Sequence, residues 1–260
     1  MSLSGDTPFA SGEIAESIGM DGRGEAVEAL LEGTFDWGHR EGTSLEDSKE
    51  MLIFLQKLQR PTLMNGKKLP EMNGEMTLAD YQDLFNNTKE STSSHPPVHY
   101  GHYKVACESE VLAKVNLAFM NLPFQYGYPL TRWLRSLHCM IQKKELPWFH
   151  KLRIVQLFEA DFNSVLKFMG RKLMRHSEIH GINSDQLYGS RKKKSAIEAL
   201  ITLRIMYDMA RTERLYMVSL FNDLKGCYDR IRPSLSTITM RRMGCPKEAI
   251  ICQAMALTGM

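Results

Sequence analysis

No stretch of the 260 residues approaches the roughly 18 consecutive apolar residues that a bilayer span needs. The longest apolar run, Ala249 to Met260, covers 12 residues and is interrupted by Gln253 and Thr258. The opening segment MSLSGDTPFASGE has neither a basic stretch nor an apolar core, so no secretory signal is expected. The five cysteines (Cys107, Cys139, Cys227, Cys245 and Cys252) are odd in number and hold no C-x-x-C pair. That excludes a zinc ribbon and a disulfide framework and fits reduced thiols. The expected location is intracellular, nuclear or cytoplasmic, with no membrane partner. Internal repeats are absent, and glycine shows no collagen-like period. What is present is ordinary: 43% hydrophobic, 24% charged and 9% aromatic residues. A chain of this length and composition can bury a sizeable core and is not wholly disordered.

The net charge of +3 hides a strong asymmetry. Residues 1–50 hold 12 acidic against 3 basic residues, a net −9, whereas residues 131–204 hold 15 basic against 6 acidic, a net +9. A basic segment of that size suits a polyanion, because each phosphate contact releases condensed counterions. A solvated charged surface accounts for it equally well.

Two regions are expected. Residues 1–87 read as an acidic, weakly ordered head. Glu13–Gly19 and Gly24–Leu31 are short amphipathic helix candidates. Leu45–Leu58 is a further helix with Met51, Leu52, Leu55 and Leu58 at helical spacing. Pro61 and Asn65–Gly66 mark turns. A polar linker over 88–102 sets the boundary. Its His95, His99 and His102 have a spacing that could hold a metal, but no nearby cysteine or carboxylate completes a tetrahedral set, and hydrogen-bonding loop histidines are the plainer reading.

Beyond the linker, residues 88–260 carry stronger signals. Leu112–Leu122 reads as a helix ending near Pro123, and Leu130–Lys143 as a basic helix. Residues 151–156 read as a short strand. Phe158, Phe162, Val165, Leu166, Met169 and Leu173 form one helical face, a core stripe. Ser195-Ala-Ile-Glu198 is a capping box opening a helix whose Ile197, Ile201, Ile205 and Met209 fall at steps of four. Leu215–Phe221 reads as a buried strand. Pro233 opens the next helix, which Arg241, Arg242, Gly244 and Pro246 close. The mixture indicates an α+β chain rich in helix.

The sharpest chemical feature follows that strand: Asp223-Leu-Lys-Gly-Cys-Tyr228-Asp229-Arg230-Ile231. A carboxylate at a strand's end is rigidly held and suits a hard divalent cation. It suits equally the capping of the following turn.

This segment resembles the first catalytic motif, D-x-x-x-A-[FY]-D-[RK]-[IV], of reverse transcriptases of the LINE (non-LTR) retroelement type. Two upstream stretches agree in order. Leu152-Arg153-Ile-Val-Gln-Leu157 with Asp161 and Lys167 is similar to the fingers motif, although Ile154 stands where that motif has proline and Asn163 where lysine is common. Gln186-Leu-Tyr-Gly189-Ser-Arg191 is similar to the Q-x-G-[FS]-R motif before the palm. The resemblance covers residues 88–260.

The resemblance implies a fingers and partial palm fold and an RNA-directed DNA polymerase activity on an RNA template, a DNA primer and deoxynucleoside triphosphates. It implies that Asp223, joined by the main-chain carbonyl of Leu224, binds two Mg2+ ions. It further implies that Arg153 meets the triphosphate and that Tyr228 excludes ribonucleotides by their 2′-hydroxyl. Arg191, Lys192, Lys193 and Lys194 would touch template or primer phosphates; a solvated cationic turn is the alternative for them. No [YF]-x-D-D motif follows Asp229, after which Glu248 is the lone acid. The expectation is therefore a fragment truncated before its second carboxylate motif and inactive alone, since two-metal phosphoryl transfer needs both carboxylate sources. The competing expectation is a non-enzymatic nucleic-acid-binding or assembly protein derived from such a domain.

Overall fold

The computed structural model describes residues 12–19, 21–35, 53, 56–89, 98–142, 152–189, 191–219 and 231–259. Among the described residues the chain is helix-rich with one two-stranded antiparallel sheet, an α+β composition. It divides into two compact units, 1–173 with 232–260, and 174–231.

The first unit begins with α1 (Gly12–Ile18) and α2 (Ala26–Glu32). Their connection requires Gly24, because a Cβ there would lie 1.9 Å from the Ser17 carbonyl oxygen. That closeness lets the Gly24 N–H donate to the Ile18 carbonyl at 2.7 Å. Ile18, Val27, Leu30 and Leu31 close over Leu58 and Ile238 as a small core. This part of the acidic head therefore packs against the C-terminal region. Arg241, 4% exposed, donates to Glu28 at 2.6 Å across the same contact. Asn65–Gly66 forms the expected turn, with Thr62 bridging Lys68. The Leu45–Leu58 helix lies largely outside the described residues.

The main core gathers α3 (Leu78–Asn86), α4 (Tyr100–Ala106), α5 (Glu110–Tyr126) and α6 (Ala160–Ile179) with the C-terminal Cys245, Ala249, Ile250, Cys252 and Ala256, while the strands β1 (Leu137–Ile141) and β2 (Arg153–Leu157) supply none of its buried residues. Thr77 and Asp80 cap α3 reciprocally. Asn121 clamps the chain before it, accepting from the Met76 N–H at 2.8 Å and donating to the Met76 carbonyl at 2.9 Å. On α6, Phe162, Val165, Phe168 and Met169 are buried, with Leu166, Leu173 and, just before the helix, Phe158 packed at the margin. The stripe at steps of four and three thus faces the core, and Phe168 widens it.

Three local expectations are corrected here. The linker ends earlier than residue 102, since α4 starts at Tyr100. The helix expected to end near Pro123 runs through it to Tyr126. The proline carbonyl still accepts from Gly127, whose φ of 71° closes the helix. The helix expected over 130–143 is instead a 3₁₀ turn, Thr131–Leu134, followed by β1. Leu137 pairs with Leu157 and Ile141 with Arg153, so a non-local ladder overrides local helical spacing.

The unit closes with α8 (Pro233–Arg242) and α9 (Lys247–Thr258). Gly244 takes φ 92° between them, and its carbonyl accepts from the Met72 N–H. Cys245 and Cys252 are buried, unpaired thiols, and burial pushes each pKa up to about 12.

In the second unit, α7 (Ala196–Thr212) opens on the Ser195–Glu198 capping box as expected. It buries none of its residues, and Ile197, Ile201, Ile205 and Met209 stand exposed. The expected buried strand over 215–221 is also corrected. Residues 215–219 carry no strand, and Val218 is 95% exposed. A strand needs a neighbour for its N–H and C=O groups, and among the described residues the one sheet is β1–β2.

Candidate nucleic-acid interface

Asp223, Leu224 and Tyr228 fall in 220–230, outside the described residues, as does Asp229. Arg153 opens β2, where its backbone pairs with Ile141. The cationic run Arg191–Lys194 is described in full and lies within the second unit.

That run sits on a fastened turn. The Arg191 side chain is 9% exposed, and its Nε and Nη2 donate to Glu178 at 2.6 and 2.9 Å. Its Nη1 donates to the Ser184 carbonyl at 2.7 Å. A planar guanidinium thus spans the C-terminal turn of α6 and the loop after it, in the fork geometry that lysine lacks. The Arg191 hydrogen bonds hold the Glu178 carboxyl below the usual glutamate range. Tyr188 anchors the other side, its hydroxyl 3.2 Å from Thr202 Oγ1 on α7. Lys194 lies over the Tyr188 ring, 5.4 Å from its centroid. Lys193 adopts φ 62°, a left-handed conformation uncommon for lysine, and reverses the chain just before the Ser195 cap. Lys192 and Lys193 are both exposed. Arg191 therefore holds the turn, while Lys192 and Lys193 carry its accessible charge.

A second polar cluster, in the first unit, surrounds Asp161 of the fingers-like stretch. Asp161 is 1% exposed. It accepts from the Trp133 indole N–H at 2.9 Å and from the Phe162 N–H at 2.8 Å, and it pairs with Arg132 Nη2. Trp133 itself is fully buried and stacks on Phe162 with centroids 5.0 Å apart. Glu159 approaches Arg132 at 3.7 Å, and Arg132 Nη1 donates to the Tyr103 hydroxyl at 3.4 Å. Burial raises the Tyr103 pKa well above the ordinary phenol value, and the Asp161 charge adds to the rise. Burial works against the Arg132 charge, but Asp161 and Tyr103 outweigh it, so its pKa also rises. Sequence reasoning placed Asp161 in a motif but did not foresee that Arg132 and Trp133 meet it. Their signal was a basic residue beside a tryptophan, which carries no spacing that points 28 residues ahead.

Beside this cluster lies a cavity of about 550 Å³. Val98, Phe119 and Leu130 supply apolar wall, and Arg132, Asn116 and Thr131 supply polar edges.

Asp223 is a hard oxygen donor of the kind magnesium takes. Among the described residues, no group of three or more His, Cys, Asp or Glu is placed to hold a metal ion. His95 of the expected histidine set lies outside the described residues, and His102 Nδ1 accepts from the His99 N–H at 3.0 Å. Among the described residues, no helix is long and apolar enough to cross a membrane. No protein family, curated protein or solved structure matches the chain.

Proposed function

We propose that the chain is the fingers and first palm segment of a LINE-type reverse-transcriptase-like nucleotidyltransferase, and that its own task is to hold a nucleic-acid strand by the phosphates. The observation that carries this reading is the turn at Lys192–Ser195. It follows directly on the Q-x-G-R-like motif, presents exposed Lys192 and Lys193, and is braced by Arg191 on Glu178 and by Tyr188 on Thr202. A braced turn presents its charges with little ordering cost on binding. In the same reading Arg153 meets the nucleotide triphosphate, Tyr228 screens the sugar, and Asp223 with the Leu224 carbonyl takes magnesium. Bound there, magnesium supplies charge neutralisation and nucleophile activation at a phosphoryl centre.

A second reading, a non-enzymatic nucleic-acid-binding or assembly protein, uses the same turn. It is favoured by the exposed apolar face of α7, Ile197, Ile201, Ile205 and Met209, which suits an assembly contact.

The test is a salt titration with labelled single strand and RNA–DNA hybrid. Phosphate contacts by Lys192 and Lys193 give a log–log slope of about −1.4 on a single strand, or roughly a 7-fold loss between 50 and 200 mM salt. Lys192→Ala/Lys193→Ala reduces that slope by about 1.4 without a change in fold. Binding that ignores salt, or a slope unaltered in the double variant, contradicts the assignment.

A further inference from the structure

We propose that the cavity beside Arg132 is a binding site for an uncharged planar heteroaromatic ring, a nucleobase, presented either by a free nucleoside or by an unpaired nucleotide. This goes beyond the phosphate-holding turn: the residues differ, and the site stands or falls without it.

The cavity's volume of about 550 Å³ lies in the range of small-ligand sites, and its walls are mainly apolar with a few convergent polar groups. The charge balance selects the ligand. Arg132 is the one cation on the wall whose guanidinium is fixed, and it already faces Asp161 and Glu159. Two carboxylates against one guanidinium leave no surplus positive charge, so a phosphate or carboxylate gains little. A cation gains little either, because Asp161 and Glu159 are 1% and 7% exposed and neither lines the cavity. A neutral ligand remains.

The geometry selects a flat one. Hydrogen bonds to Asp161 and Tyr103 lock the edge of Arg132, while its side chain stays 39% exposed. A guanidinium locked at its edge offers its face, which stacks on aromatic rings. Phe119, about half exposed, gives a second ring surface, and Val98 and Leu130 give apolar sides. The remaining polar groups suit the mixed edge of a base. Asn116 donates its amide to the Tyr81 hydroxyl at 3.2 Å, which leaves its Oδ1 as an acceptor. His102 accepts at Nδ1 from the His99 N–H, which leaves Nε2 as a donor. Thr131 is exposed and offers a hydroxyl of either sense.

The experiment titrates adenosine, uridine and AMP into the full chain, followed by backbone amide shifts at 98–132. The expected result is saturable binding of a nucleoside at submillimolar to millimolar concentration, with AMP no tighter than adenosine. Thr131→Trp, a substitution at an exposed position that fills the cavity, abolishes binding. Phe119→Ala weakens it at least fivefold. Both variants keep the wild-type unfolding midpoint within a degree or two. A single-stranded oligonucleotide and its abasic counterpart separate the two sources. If Thr131→Trp weakens binding of the first and not the second, the base comes from a strand; if neither changes while nucleoside binding is lost, it is a free nucleoside. No saturation by 10 mM nucleoside overturns the proposal. So does AMP binding tenfold tighter than adenosine, which marks an anion site. Nucleoside binding that survives Thr131→Trp overturns it as well.

Discussion

Replacing Asp161 with alanine tests whether the buried cluster holds the first unit together. Removing the carboxylate leaves the indole N–H of fully buried Trp133 without its acceptor. An orphaned buried donor costs about 1–3 kcal/mol. Arg132 loses its nearest counter-charge, but a side chain 39% exposed recovers part of that from water, so this loss is discounted to about 1 kcal/mol. The N–H of Phe162 at the start of α6 also loses a partner at 2.8 Å. The sum is about 3–4 kcal/mol, a fall in Tm of about 6–15 °C for a chain of this size. Asp161→Asn keeps an acceptor for the indole and costs less, about 1–2 kcal/mol. Urea unfolding followed by tryptophan fluorescence and near-ultraviolet circular dichroism measures both. Lys167→Ala, exposed on the same helix, is the control and stays within about 0.5 kcal/mol of wild type. A cost below about 1 kcal/mol for Asp161→Ala, or equal costs for the alanine and asparagine variants, refutes the reasoning.

Other outcomes follow from the same structure. Arg241 holds the Glu28 carboxyl below the usual glutamate range against the opposing effect of burial. A carboxylate with a lowered pKa stabilises the fold above its unfolded value and loses that contribution as pH falls through the folded one. Wild type should therefore lose more stability than Glu28→Gln between about pH 5 and 3, and parallel pH profiles would count against the pair. Hydrogen exchange should be fast at Leu215–Ser219, which carry no strand, and slow along the buried face of α6; equal protection would contradict the description of 215–219. In the proposed polymerase-segment reading, the 260-residue chain should extend no primer on an RNA template with magnesium, since the sequence in that reading holds one carboxylate motif. Extension that disappears in Asp223→Ala would show that another carboxylate completes the site.

What could be read in advance was what local chemistry decides. The α6 stripe, the Ser195–Glu198 cap, Pro233 at the start of α8 and Gly244 after it each depend on residues within a few positions. What escaped depends on distant partners. Leu137–Ile141 becomes a strand because 153–157 lies opposite it, a pairing invisible in the spacing of 130–143. Residues 215–219 look apolar enough for a strand, but a strand needs a neighbour. The site divides the same way. The charge of Arg191–Lys194 was legible as a patch, whereas the assignment of Arg191 to Glu178, leaving Lys192 and Lys193 accessible, required the fold. The Arg132–Asp161–Trp133 cluster joins residues 28 and 29 positions apart and gave no local sign.

The most direct test of the strand-holding role is a map of where nucleic acid touches the chain. An RNA–DNA hybrid with 4-thiouridine in the RNA strand is bound to the full chain at low salt, crosslinked by light and digested, and the adducts are located by mass spectrometry. The account predicts adducts in peptides spanning 184–195, lost in Lys192→Ala/Lys193→Ala, with a second group at 221–231. Adducts absent from 184–195, or unchanged in the double variant, would contradict it.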